Sequence, residues 1–321
     1  MEVLENGYQC SACEKTYLLH DGIPDFRVFP DPFLNYEEDY ARTEIVIAAL
    51  ENLNFEKLLE HYWSFSDITP PALRPKFVRS AVLGEHRARR TLEILENNIE
   101  SPIKKVLEIG SGTGNFLAVA APRYEQIIGI DIAMRWLHIS RRRFMDKGLD
   151  VPPLVCCCAE FLPFADNSFD LIACSSTLEF VKNQPKALAE CARVLEKDGT
   201  LYINSVNRFS IAKDPYAYLW AVGFLPRKFQ ARYVKWRRGA SYENVKTLSF
   251  RELNRLAGKH FPIKKFALPD VAPSALKEFS FWTRLQINAY RLLKKLPPFR
   301  FLLKRFGPGW DVILRKNSRF Y

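Results

Sequence analysis

From residue 104 the chain alternates short apolar strands with amphipathic helices, the rhythm of an α/β fold whose parallel βαβ units wind both ways around one sheet. The junction between the first of these strands and the first of these helices is "VLEIGSGTGNFL", residues 106–117. It sets three glycines in five positions behind an acid, the composition of a turn that lets a ligand approach the backbone and the helix start. With 321 residues, 48% of them hydrophobic, the chain can fill one such core and carry added segments.

Taken in order, residues 1–35 hold a Cys pair, "CSAC", and the turn-rich "DGIPDF". Residues 36–100 read as a helical extension or lid. In it "NYEEDYARTEIVIAALENLNFEKLLEHYWSF" runs long, "RSAVLGEHRARRTLEILENNI" forms a second amphipathic unit, and "TPPALRP" separates the two. The core spans 101–206, with strands at 104–110, 126–131, 154–159, 169–176 and 199–206. Helices "GNFLAVAAPRY", "AMRWLHISRRRFMDKG" and "QPKALAECARVLEKD" lie between them. The segment 249–321 completes a seven-stranded sheet with a helix, "SFRELNRLAGKH", and the strands "PIKKFAL" and "WDVILRK". Two insertions are expected, 207–248 after the fifth strand and 271–308 before the last.

The glycine spacing narrows the ligand. A dinucleotide fingerprint is G-x-G-x-x-G, but here the third glycine, Gly114, arrives one residue early and Asn115 follows. A P-loop needs G-K-[ST], which is absent. Glu108 beside the glycines would repel a pyrophosphate and could pair with an ammonium or sulfonium group. Asp131 ends the second strand about 20 residues on, where an acid accepts hydrogen bonds from ribose hydroxyls.

"VLEIGSGTG", "IGIDIA", "LPFADNSFDLI" and "ARVLEKDGTLYI", in this order, resemble the class I S-adenosylmethionine-dependent methyltransferases, a group that includes the ubiquinone and menaquinone methyltransferases. The resemblance covers roughly residues 100–206 and implies a Rossmann-like fold with S-adenosyl-L-methionine as cofactor. It implies that Glu108, Gly110, Ser111, Gly112 and Gly114 line the methionine part, that Asp131 binds ribose and that Ile132 packs on adenine. Ala159 and Glu160 would lie at the adenine edge, and Ser175 after the fourth strand would also face the cofactor. Where the family often has Asp, this chain has Cys158, so backbone groups or Glu160 are the expected replacements. Many relatives carry Glu-His after the fourth strand, whereas here Glu179 precedes Phe180. Methyl transfer is an in-line displacement that needs positioning, with a base only where the acceptor must lose a proton. Candidates for acceptor contacts are Glu179, His61, Tyr62 and Asn207.

The flanks bear on partners. "YQCSACEKTYLLHDGIPDF" resembles half of a zinc ribbon, and since four ligands are needed, Cys10 and Cys13 read as a metal-free remnant rather than a zinc site. Residues 201–321 hold 25 Lys and Arg against 6 Asp and Glu, while the first 200 residues are net acidic. A basic, aromatic tail points to an anionic partner, either an acceptor or a membrane surface, with nucleic acid second. The expected function is methyl transfer, by preference to oxygen, on a small-molecule or lipid- or glycan-linked acceptor. An RNA methyltransferase and a non-catalytic binding protein of the same fold are the alternatives. The polar start and the lack of a spanning apolar run predict a cytoplasmic protein, peripheral at the inner membrane face.

Overall fold

The computed structural model describes residues 2–11, 14–99, 101–271, 276–277 and 280–316. Among them, seven strands form one sheet: β5 (Lys105–Ile109), β6 (Gln126–Asp131), β7 (Leu154–Cys156), β8 (Phe169–Ser175), β9 (Leu195–Val206), β10 (Ile263–Ala267) and β11 (Gly309–Arg315). Their order is β10-β11-β9-β8-β5-β6-β7; the β9-to-β7 portion is parallel, and β11 runs antiparallel to both neighbours. All seven expected strands are present. β7 is shorter than expected because the chain turns away after Cys156, and β9 is longer because pairing begins at Leu195, before the "KDG" turn.

Helices cover both faces, as a parallel sheet requires. One core layer joins Val106, Ile127, Leu171 and Tyr202 to α4 (Gly84–Glu96), α5 (Asn115–Ala120) and α6 (Met134–Lys147). The other joins Leu107, Ile172, Leu201 and Val312 to α7 (Gln184–Val194), α9 (Phe250–Ala257) and Leu303 of α11 (Pro297–Phe306). The 207–248 insertion has its own small core, in which Ala217, Leu219 and Val222 meet Val234 of α8 (Arg227–Arg238) and Tyr242. The 271–308 insertion contains α10 (Phe281–Lys295) followed by α11.

Four short strands near the N-terminus form a small antiparallel sheet, β1 (Glu2–Leu4), β2 (Gly7–Gln9), β3 (Thr16–His20) and β4 (Ile23–Pro24). Cys10 follows β2, Cys13 lies outside the described residues, and the described residues contain no cluster of metal ligands. The long first helix divides into α1 (Tyr36–Leu50) and α2 (Phe55–Phe65). Asn54 causes the break, since its side chain accepts from Lys57 N at 3.0 Å and starts a new helix. The second helical unit likewise divides into α3 (Arg74–Val82) and α4.

Between β4 and α1 the chain forms a strap. Asp25 bridges Cys156 in parallel fashion and Phe26 N donates to Cys156 O at 2.7 Å, so the strap lies along the open edge of β7. A buried ionic cluster holds it there. Asp39 of α1 accepts from Arg27 Nη1 at 2.6 Å, from Arg135 Nη1 and from Met134 N at 3.1 Å, at the positive end of α6. Asp25 takes the other side of Arg27, and Asp31 accepts from Arg135 Nη2 at 3.1 Å. Removing Asp39 takes one of two carboxylate partners from each of two buried guanidiniums and the acceptor from Met134 N, which costs more than the intact cluster contributes. Asp39→Ala is therefore expected to lose about 3–5 kcal/mol of stability; a urea titration showing less than about 1 kcal/mol would overturn this.

Candidate functional site

Strand order reverses between β5 and β8, and ligands of open α/β sheets sit beyond the carboxyl ends at that reversal. Two loops meet there, 110–114 after β5 and 175–177 after β8. Gly110, Gly112 and Gly114 all have positive φ (70°, 50° and 74°). A Cβ on Gly110 would lie 2.1 Å from Thr177 Oγ1, so the two loops touch only because that position is glycine. At Gly112 a Cβ would meet nothing nearer than Gly110 O at 4.0 Å, so this backbone faces open space.

Asp131 closes the same cleft from the end of β6. Its Oδ2 accepts from Gly112 N at 2.8 Å and its Oδ1 from Ala133 N at 2.9 Å. Each oxygen keeps a lone pair free, and two backbone bonds fix the carboxylate's orientation. Burial pushes its pKa from the usual 3.8 to about 6, against those two bonds, with the Asp31 charge adding to the rise. Glu108 is placed beneath the loop rather than on its open face. It is buried, its Oε2 accepts from Leu117 N at 3.2 Å in the first turn of α5, and burial raises its pKa well above the ordinary range.

Of the positions expected near adenine, Ile132 and Cys158 contact the strap. Ile132 is half-buried, with its carbonyl accepting from Arg27 Nη1 at 3.2 Å. Ala159 is half-buried, whereas Glu160 is committed elsewhere: its Oε1 accepts from Asn183 N at 2.8 Å at the start of α7. Cys158 is buried against Phe29 O, and Phe29 packs edge-on to Phe161. On the other side of the reversal, Ser175 is half-buried and its carbonyl accepts from Thr177 Oγ1 at 3.1 Å.

Of the acceptor candidates, Glu179 alone borders the cleft wall. Its Oε1 accepts from Ser205 Oγ at 2.9 Å and Val206 N at 2.6 Å, while Oε2 is buried without a partner. Burial raises its pKa, with Asp214 adding to the effect. His61 packs on Phe65 of its own helix and is not brought to either loop. Tyr62 is interior and accepts from Arg135 Nε at 2.9 Å. Asn207 is a structural clamp, its Nδ2 donating to Arg305 O and Gly307 O and its Oδ1 accepting from Phe209 N. A groove of about 540 Å³ between α2 and α3 includes no residue of the two loops.

The structure adds wall residues that sequence reasoning missed. Ser176 has φ 53°, is exposed, and donates to Asn204 Oδ1 at 3.3 Å. Asn204 Nδ2 and Tyr202 OH both donate to the buried Asp311 Oδ1, at 2.8 and 2.7 Å. Tyr216 packs its ring on Phe180, with its hydroxyl buried beside Ser176. Arg87 of α4 donates to Ser80 and has no carboxylate partner among the described residues. Arg87 is exposed to solvent, near Tyr216 and Tyr218. A positive φ at a serine is the one hint of function here, and a sequence does not display it.

Residues 107–203 match the family described as methyltransferase domain. A ubiquinone/menaquinone biosynthesis C-methyltransferase of Burkholderia mallei is 37% identical over 123 residues, which is 37% of this chain and 50% of that protein. The corresponding Paraburkholderia phymatum protein is 37% identical over 135 residues, 41% of this chain and 54% of its own length. The chain thus spans about half the length of the curated relatives it matches. Among solved structures, a methyltransferase of Thermotoga maritima described as a possible histamine N-methyltransferase shows 24% identity and a TM-score of 0.47, covering 77% of this chain and 97% of that one. Within the matched segment, Gly110 and Thr177 bring the two loops into contact. Gly110→Ala adds left-handed strain of about 1–2 kcal/mol to a direct clash. It is expected to lower the melting temperature and abolish S-adenosylhomocysteine binding; calorimetry with wild-type affinity would contradict this.

Proposed function

We propose that this chain transfers a methyl group from S-adenosyl-L-methionine to an oxygen of a small-molecule or lipid- or glycan-linked acceptor. The observation that carries the reading is the pairing of Gly112's open backbone with Asp131, whose fixed carboxylate has free lone pairs, at the reversal of strand order. The residues fit the cofactor on further grounds. Ser111 Oγ is buried in the same loop without a partner, and Ile132 and Ala159 supply apolar surface beside Asp131. When bound, S-adenosyl-L-methionine supplies an electrophilic methyl group on a sulfonium sulfur.

The chain's own residues would then act by position and charge. Asp131 accepts from the ribose hydroxyls, the 110–114 backbone lines the methionine part, and Ile132 packs on the adenine. The strap keeps water from the adenine side. On the acceptor side, Arg87 offers an unpaired cation, and Tyr216 and Ser176 offer hydroxyls. A proton leaving an acceptor hydroxyl has a destination in Glu179 Oε2, which is unpartnered and has a raised pKa. Carbon is the second reading for the methylated atom, favoured by the C-methyltransferase names of the relatives in Burkholderia and Paraburkholderia.

Calorimetry with S-adenosylhomocysteine tests the reading, and no binding at millimolar ligand sinks it. Asp131→Ala is expected to weaken binding about 10- to 100-fold, the loss of hydrogen bonds to a charged group. The folded protein holds a proton on Asp131 up to about pH 6, whereas an unfolded chain releases it near 3.8. Ionised Asp131 thus disfavours the ligand-free fold as pH rises through that window, and ribose bonds favour the ionised form. Affinity should therefore strengthen as pH rises through about 6 in the wild type and be flat in Asp131→Ala. Equal pH profiles for the two proteins would remove Asp131 from the ribose site.

A further inference from the structure

α10 is unusual in that none of its residues is buried. Its inner face rests on the domain: Tyr290 and Leu293 pack on the sheet core, while Arg291 and Lys294 pair with Asp270. The opposite face carries Phe281, Trp282, Leu285, Leu292 and Leu296 into solvent, with Phe281 65% and Trp282 71% exposed. The spacing 281, 285, 292, 296 follows one stripe of a helix about 22 Å long. α11 continues it with exposed Phe299, Phe301, Leu302 and Phe306, burying Leu303 alone.

Charge says what this apolar surface meets. Residues 280–306 contain seven Lys and Arg and no Asp or Glu. Arg284, Lys295, Arg300 and Lys304 form no ion pair among the described residues. The surface extends toward the cleft-covering insertion: Ile211 N donates to Phe306 O at 2.9 Å, and Ile211 is itself 67% exposed. That insertion then exposes Trp220, Phe224, Phe229 and Trp236, the last two on α8, which has six basic residues and no acid. No helix among the described residues is long and apolar enough to cross a membrane. Large apolar side chains ringed by cations on a short helix match the interface of an anionic bilayer, where the ring meets lipid phosphates and the stripe enters the acyl boundary. A nucleic acid would use the cations but leave the leucine and phenylalanine stripe in water.

We propose that α10 and α11, with the exposed edge of the 207–248 insertion, seat the protein on an anionic membrane surface and turn its acceptor side toward the lipid. Docking is independent of the methyl-transfer reading, because none of these residues lies in the cofactor cleft.

The full chain is mixed with phosphatidylcholine vesicles and with vesicles containing phosphatidylglycerol, and sedimented. Co-sedimentation with the second alone is expected. Phe281→Ser combined with Trp282→Ser and Leu285→Ser, all on exposed positions, should reduce partitioning at least about tenfold. Charge reversal by Arg284→Glu, Lys295→Glu and Arg300→Glu should do the same. S-adenosylhomocysteine affinity, measured on the same variants, should stay at the wild-type value and shows that they fold. Equal partitioning of wild type and variants, or failure of the folded wild type to bind anionic vesicles, overturns the proposal. So does displacement from the vesicles by RNA at matched phosphate, which would assign the surface to nucleic acid.

Discussion

The placement of Asp39 between Arg27 and Arg135 is the constraint on which the site depends. One fully buried carboxylate joins the strap, the first helix and the start of α6, and so fixes the chain on both sides of Asp131 and Ile132. Such clusters contribute little net stability, because desolvating the ions offsets their attraction. What they fix is geometry. Arg27 Nη1 is shared between Asp39 and the Ile132 carbonyl, so the backbone expected to face adenine is held by the same group that holds the strap. The cluster also has three aspartates to two arginines, and the Asp31 charge contributes to the raised pKa of Asp131.

The sheet was legible because each parallel strand is apolar on both faces and bounded by glycine, proline or acidic turns. "QIIGID" coincides with β6 to the residue. The donor side of the cleft was legible for a related reason: its chemistry lies in backbone conformation, and glycines record that in sequence. Side-chain partners across long separations leave no such record. Nothing local marks Asp39 as the partner of Arg135, 96 residues on, or Asn204 as the partner of Asp311. His61 and Asn207 are candidate acceptor contacts in the sequence, and the structure spends one on a helix surface and the other on backbone carbonyls.

Phe180, at the position where the resemblance leads one to expect histidine, packs between Phe33 of the strap and Tyr216 of the insertion, so an apolar contact ties strap and insertion together. The remaining polar groups on that wall, Glu179, Tyr216 and Ser176, come from the loop after β8 and the insertion. Of these wall groups, Ser176 and Glu179 lie within the portion that matches the methyltransferase domain family, 107–203, whereas Tyr216 and Arg87 lie outside it.

The strap's pairing with β7 also sets an order of events during synthesis. Asp25 and Arg27 leave the ribosome early, but their counterpart, Cys156, is made about 130 residues later. At about 5–20 residues per second, the strap waits on the order of ten seconds before its sheet edge exists. Until then its charges can meet each other and α1, where Asp39 is only 12 positions from Arg27 and Tyr40 donates to Asp25. The N-terminal segment is thus made well before the sheet edge that fastens it.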